Sequence, residues 1–297
     1  MNGVTLGLLG ATITCVAWGL ADYVAALLSR RLGEAWTLLG IQAVGLPILA
    51  LIWLIIRPPL PVPADLIWIT LASGCFAVGY FSFFHGLRVG TISLVSPISS
   101  AGALIPVAVG MALMGEEASG IRLTGIALTM AGLALLLTDL RAVKRLDAPT
   151  RRRGMLAGLV TLLAWGLGTA LLLPAIHHAG GFAPIAILRI EVLVVAAAWC
   201  AAASPAAPPH QAPVSSALRS PAVWALVVPA ALLDLTAFFA YGYALHIAPA
   251  SVAAPVASAY PLVTILIAHQ RVGETLNARE WSGVALTLLG VGLLGLG

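Results

Sequence analysis

Apolar stretches of about twenty residues recur along the chain, set apart by short pieces rich in Arg, Pro and Gly. About 20 residues rising 1.5 Å each cover a hydrocarbon core of about 30 Å. Ten stretches meet that length: 5–28, 36–56, 65–87, 91–114, 121–138, 154–177, 182–203, 221–245, 250–270 and 280–296. Most links between them hold only a few residues, which makes successive helices antiparallel neighbours. Two polar stretches are longer. One is 139–153, DLRAVKRLDAPTRRR, near the midpoint; the other is the Pro/Ala/Ser-rich 204–220, expected to lack fixed structure.

Composition sharpens this picture. With 61% hydrophobic and 9% charged residues, the chain carries far less charge than the roughly 25% of a soluble domain, so it is expected to be a polytopic membrane protein. Its net charge of +4 does not imply a nucleic-acid partner, because the basic residues are scattered through short links instead of interleaved with aromatic positions. They set topology: cytoplasmic loops carry the excess of Lys and Arg. With the amino terminus outside, Arg30, Arg31, Arg88, Arg141, Lys144, Arg145, Arg151, Arg152, Arg153, Arg219, Arg271 and Arg279 fall inside, against Arg57 and Arg122 outside. Both termini are therefore expected outside a prokaryotic inner membrane, with 139–153 in the cytoplasm. No basic region precedes the first stretch, so that helix is expected to be retained. Arg189 lies within a helix and is expected to snorkel outward. Cys15, Cys75 and Cys200 have no paired spacing and read as packing residues.

The two halves repeat. Pro97 and Pro255 are 158 residues apart, and at that offset Ser93 meets Ser251, Ser100 meets Ser258, Gly115-Glu116 meets Gly273-Glu274, Gly125 meets Gly283, 127–129 meets 285–287 and Gly132 meets Gly290. An offset of 147 aligns Trp18-Gly19 with Trp165-Gly166. This is an internal duplication. Five helices per half is an odd number, so the copies are expected to enter the membrane in opposite directions, which is a transporter architecture with its site where the repeats meet. The expected fold is an all-α membrane protein of ten transmembrane helices, built as two inverted five-helix repeats around a central cavity. The first repeat spans 1–138, the basic linker 139–153 and the second repeat 154–297.

The doubled motif of Gly-Glu followed by a Gly-rich final helix, at 114–116 with Gly125 and Gly132 and at 272–274 with Gly283 and Gly290, resembles the EamA branch of the drug/metabolite transporter superfamily over nearly the whole chain. The resemblance implies export of amino acids or related metabolites, with the family's aromatic amino-acid exporters as the nearest type. It also implies a central cavity surrounded by the first, third, fourth, sixth, eighth and ninth helices, with the fifth and tenth serving packing.

Several residues are candidates for a binding site. An Asp at the bilayer centre costs about 2.5 to 3.5 kcal/mol on insertion scales, so an intramembrane acid is a functional hypothesis by default. Asp22 shares a helix face with Cys15 and Trp18; the alternative is that it lies close enough to Arg30 to be solvated or paired. Its counterparts on the sixth helix are Trp165 and Thr169. Asp234 sits halfway along the eighth helix and needs a partner or a hydrated cavity; Phe76 occupies the matching position. The aromatic runs 80–85 and 238–243 superpose at the offset of 158, pairing Tyr80 with Phe238, Phe83 with Tyr241 and His85 with Tyr243. Rings from both repeats could line a cavity for flat or cationic apolar ligands, or could merely pack. Pro97 and Pro255 remove a backbone hydrogen bond in matching helices, and Ser96, Ser99, Ser100 and Ser258 stand near to satisfy the freed carbonyls; Tyr260 continues that face. Glu116 and Glu274 end matching helices and read as caps or gate contacts. Arg189 and Glu191, about 200° apart on one helix, do not pair with each other.

The sequence has no Walker motif, no HExxH and no clustered carboxylates, so no nucleotide drive, metal or cofactor is expected, and no enzyme. The expected partners are a small-molecule substrate and membrane lipid. A secondary transporter exporting small amphipathic metabolites, with aromatic or apolar amino acids first, explains the repeat, the prolines and the acids together. Export of drugs or quaternary cations is the alternative; a membrane-embedded enzyme or a non-transporting subunit explains less. Ten helices with their own repeat interface suffice for a monomer, although the small-residue tail 283–297 could pack on another copy instead of on its own repeat partner, 125–137.

Overall fold

A computed structural model describes residues 3–90, 92–117, 119–137, 147–202, 218–272 and 278–296. Arg141, Lys144, Arg145, most of the 204–220 linker and Glu274 lie outside the described residues. The chain is helical: α1 (Gly3–Leu32), α2 (Glu34–Ile56), α3 (Pro63–Val89), α4 (Ile92–Ser100), a 3₁₀ turn (Ala101–Ala103), α5 (Leu104–Leu113), α6 (Gly120–Leu137), α7 (Ala148–Ala179), α8 (Phe182–Ala202), α9 (Pro221–Ile247), α10 (Ala250–Ala257), α11 (Tyr260–Val272) and α12 (Ala278–Leu294). No strand occurs among the described residues. Seven helical stretches are long and apolar enough to cross a membrane, and 120–135, 250–264 and 281–294 are shorter apolar helices.

Local chemistry places the ends. Pro63 and Pro221 open α3 and α9 at first-turn positions, where the missing N–H has no helical acceptor to lose. Asp147 caps α7 by accepting from the Thr150 amide at 3.3 Å, and its hydrogen bonds to Thr150 hold its carboxyl below the usual range. Gly33 and Gly180, 147 apart, end α1 and α7 at φ of 76° and 82°, a conformation that favours glycine.

The packing recurs in reciprocal pairs. α1 packs along α9, α3 along α7 and α6 along α12. The Thr14 hydroxyl, already bonded to the Gly10 carbonyl (2.9 Å), also donates to Ala237 O of α9 at 3.1 Å. The Thr161 hydroxyl, bonded to Ala157 O (2.8 Å), also donates to Gly79 O of α3 at 3.4 Å. Thr161 follows Thr14 by 147, and Ala237 follows Gly79 by 158. Gly10 faces Ala244 while Gly86 faces Ala157, the same exchange again. At the α6–α12 crossing, a Cβ on Gly132 would collide with the Thr287 amide and one on Gly290 with the Thr129 amide. The small-residue tail thus packs on its own repeat partner. Lipid tails are as apolar as Leu, so helices in a bilayer associate through such close backbone approach.

Candidate functional site

Helices α4 and α10 both stop mid-stretch. In the first half the chain passes through the 3₁₀ turn at Ala101–Ala103; in the second, α10 ends at Ala257 and α11 starts at Tyr260. The breaks fall a few residues after Pro97 and Pro255, and serines tie up carbonyls there: Ser99 donates to Val95 O and Ser258 to Pro255 O, both at 2.8 Å. Both breaks open onto one cavity, whose wall includes Ser99, Ser100, Gly102, Ala257, Ser258 and Tyr260.

Most of the rest of the wall comes from Trp18, Asp22 and Ala25 of α1, Phe76, Tyr80, Phe83 and Phe84 of α3, Trp165 and Thr169 of α7, and Asp234, Phe238 and Tyr241 of α9, with Ile41 of α2, Pro106 of α5 and Ala254 of α10. It holds about 70 Å³ of space that the centre of a water molecule can reach, room for a few waters or a small ligand group. Trp18 meets Phe238, Tyr241 and Tyr260 edge-on at 5.3, 5.2 and 6.2 Å between ring centres. Trp165 meets Tyr80 at 5.6 Å and Phe83 at 4.9 Å. Each Trp therefore touches the corresponding pair of rings in the opposite half.

The two acids differ. Asp234, 5% exposed, accepts from Arg189 Nη1 at 2.7 Å and from the Tyr80 hydroxyl at 3.0 Å. The Arg189 guanidinium also lies 5.3 Å from the centre of the Phe238 ring, a cation-π contact. Arg189 thus corrects the expectation that it snorkels to the lipid boundary: at 3% exposed it turns inward, because a buried carboxylate stands opposite it and a buried charge needs a counter-charge. Asp22 is 8% exposed, and its Oδ2 has no hydrogen-bond partner among the described residues. Ser96 Oγ makes no hydrogen bond of full geometry either, but it stands close enough to the Asp22 carboxyl to interact with it. The Asp22 side chain belongs to the cavity wall.

Most sequence candidates meet at the cavity: Trp18, Asp22, Tyr80, Phe83, Ser99, Ser100, Trp165, Thr169, Asp234, Phe238, Tyr241, Ser258 and Tyr260 all line it. His85 does not; its Nδ1 lies 3.0 Å from Glu34 Oε1 near one end of the bundle, where Arg88 also pairs with Glu34 at 3.0 Å. Glu116 lies away from the cavity and bonds to the start of α10. Sequence reasoning missed Arg189 and the wall residues Ile41, Phe76, Phe84 and Pro106. The signal for Arg189 was available: opposite charges buried in neighbouring helices of one half. Among the described residues no group of three His, Cys, Asp or Glu side chains is placed to hold a metal.

A helical bundle with exposed Leu, Ile and Val along its helices, seven of them long and apolar enough to cross a membrane, and a cavity that contains acids define a multi-pass membrane protein. The model of the EamA-like transporter family matches residues 5–138 and again 152–296; the chain belongs to that family and carries its unit twice. No curated protein matches the sequence. A solved crystal structure shares the fold with a TM-score of 0.71 and 18% identity, over 98% of this chain and 95% of the other.

Proposed function

We propose that the protein is a secondary transporter that exports small amphipathic metabolites carrying an ammonium group, aromatic or apolar amino acids first, by alternating access. Its two repeats are inverted relative to one another, and ten helices span an inner membrane with both termini outside and 139–153 in the cytoplasm. The reciprocal contacts at offsets of 147 and 158 support the inversion, since a two-fold exchange of partners is what two oppositely inserted copies produce. Matching helix breaks at the junction of the repeats support a substrate site there. Membership of a transporter family favours transport over catalysis, and the internal α6–α12 interface supports a monomer.

The observation that carries the reading is Asp22, a buried carboxyl on the wall of an aromatic cavity whose Oδ2 makes no hydrogen bond among the described residues and which faces no cation there. An ammonium group supplies its missing counter-charge, and the rings around Trp18 supply apolar and cation-π contact. One observation favours the second reading, an organic or quaternary cation without a carboxylate: Arg189 is paired with Asp234, and the described residues of the wall offer no other cation to a substrate carboxylate.

The test is uptake of labelled tryptophan, phenylalanine, serine and a quaternary ammonium ion into proteoliposomes, for wild type and Asp22→Asn. Saturable flux of the aromatic amino acids, lost in Asp22→Asn, supports the first reading. Flux of the quaternary ion alone moves the assignment to cations. Folded protein that carries none of them above empty liposomes sinks both.

A further inference from the structure

We propose that Glu116 is a latch between the two halves that keeps one end of the cavity shut, and that the cavity opens at that end only when its carboxylate lets go of α10. The proposal rests on the alternating-access reading above, and its test separates the two.

The latch is built by the Gly-Glu motif. Gly115 has a φ of 70°, which turns the chain so that the Glu116 amide donates to Gly110 O at 3.1 Å. The side chain then folds back over Gly110, where an added Cβ would stand 2.6 Å from the carboxyl carbon. From this seat Oε1 accepts from the Ala250 amide at 2.6 Å and Oε2 from the Ser251 amide at 2.9 Å. Those N–H groups belong to the first turn of α10, which no carbonyl of that helix can satisfy. The residue before α10 is Pro249, which makes no side-chain cap. The cap comes from the other half of the molecule instead, and a carboxylate at a helix N-terminus gains further from the helix dipole.

The position makes this a latch and not only a cap. α5 packs along α10, and both reach the cavity, through Pro106 and through Ala254 and Ala257. Glu116 ties the pair at the end away from the cavity. All of α10 is buried, Ala250 and Ser251 completely, so if α5 and α10 part, two charge-assisted bonds break at once and two amides lose their acceptors.

Cys15 is a natural reporter of that parting. It is 8% exposed and packs behind the wall, against Ala259 in the break after α10 and the cavity residue Tyr260 at the start of α11. In protein with Cys75 and Cys200 replaced by Ser, the rate of Cys15 modification by a charged, membrane-impermeant thiol reagent reads how often the cavity opens. Glu116→Ala is expected to raise that rate about tenfold, and Glu116→Gln by less, because one amide oxygen replaces two acceptors. Gly110→Ala, which displaces the carboxylate without removing it, is expected to match Glu116→Ala. A control retaining Cys75 alone keeps its wild-type rate in each variant. Unchanged Cys15 rates in all three variants overturn the latch, as does equal acceleration at Cys15 and Cys75, which would mean general loosening. Selective acceleration at Cys15 in protein that moves none of the test solutes upholds the latch and removes the transport reading.

Discussion

Where the helices cross and where rings meet in the cavity wall, the two halves make the same contacts twice; where the wall carries charge, they do not. Thr14 and Thr161 reach across to equivalent carbonyls, and Trp18 and Trp165 each meet the equivalent pair of rings. In the cavity wall, however, Asp22 stands where the other half has Thr169, and Asp234 where it has Phe76. Arg189 has its own counterpart in Gln42, 147 residues earlier, which is buried with both amide atoms unpartnered among the described residues. Crossings are matters of shape, and one small-residue solution fits both copies. Charge in a low-dielectric interior is not duplicated so cheaply, since every buried ion needs its own counter-ion. The packing is therefore reciprocal between the halves and the electrostatics one-sided, which fits the proposed substrate with its two unlike ends.

The largest effect expected of a single substitution is at the one-sided charge pair. Arg189→Leu leaves Asp234 buried with only Tyr80, among the described residues, to answer it, a loss of about 3–5 kcal/mol, visible as a large fall in thermal stability in detergent. The double variant Arg189→Gln with Asp234→Phe copies the first half's Gln42 and Phe76 into the second. It is expected to regain most of that stability. If the double variant is no more stable than Arg189→Leu, the two halves do not offer equivalent surroundings at these positions.

The reciprocal packing is tested next by paired substitutions at the α6–α12 crossing. Gly132→Ala and Gly290→Ala each drive a methyl into a backbone amide of the opposite helix, at a cost of about 1–3 kcal/mol. Melting curves of the two variants are expected to agree within about 0.5 kcal/mol. A clear inequality would end the claim that this crossing is symmetric.

Asp22→Asn removes the ionisable carboxyl while keeping the shape of the side chain. Little stability is at stake, because Asp22 Oδ2 makes no hydrogen bond among the described residues and Asn keeps an acceptor for the neighbouring Ser96 hydroxyl. Flux of an ammonium-bearing substrate is expected to fall about tenfold or more, equivalent to about 1.4 kcal/mol, whereas Thr169→Val, its counterpart across the cavity, changes flux far less. Equal losses in the two variants would place the substrate's charged end elsewhere.

These contrasts also mark what the sequence made legible. Apolar runs, the two offsets and the doubled prolines were visible because they depend on local periodicity and on repetition. Asp22, Asp234 and the rings could be gathered as candidates because an intramembrane acid or a deep tyrosine demands a partner whatever the fold. Arg189 was misplaced: snorkelling and inward pairing fit the same residue until the rotation of α8 is known. His85 fell outside the wall for the same reason, one helix face away from Tyr80 and Phe83 and drawn to Glu34. Glu116 read as a cap or a gate contact, yet the amides it caps lie on α10 in the opposite half, and no pattern along one chain announces that.

The smallest effect belongs to the paired threonines, and it is the most exacting test of the reciprocal packing. Each hydroxyl already bonds within its own turn, to Gly10 O or Ala157 O, so the bond across to Ala237 O or Gly79 O is a shared one. Shared bonds between membrane helices are weak, about 0.6 kcal/mol on average. Thr14→Val and Thr161→Val keep the side-chain volume and remove only the hydroxyl, so each is expected to cost about that much, with Thr161→Val the milder because its cross-helix distance is 3.4 Å against 3.1 Å. Since the two crossings are separate, the double variant is expected to lose the sum of the two. A loss at one crossing with none at the other would mean that repeated geometry does not carry repeated energy, and the reciprocal packing would then be a likeness of shape alone.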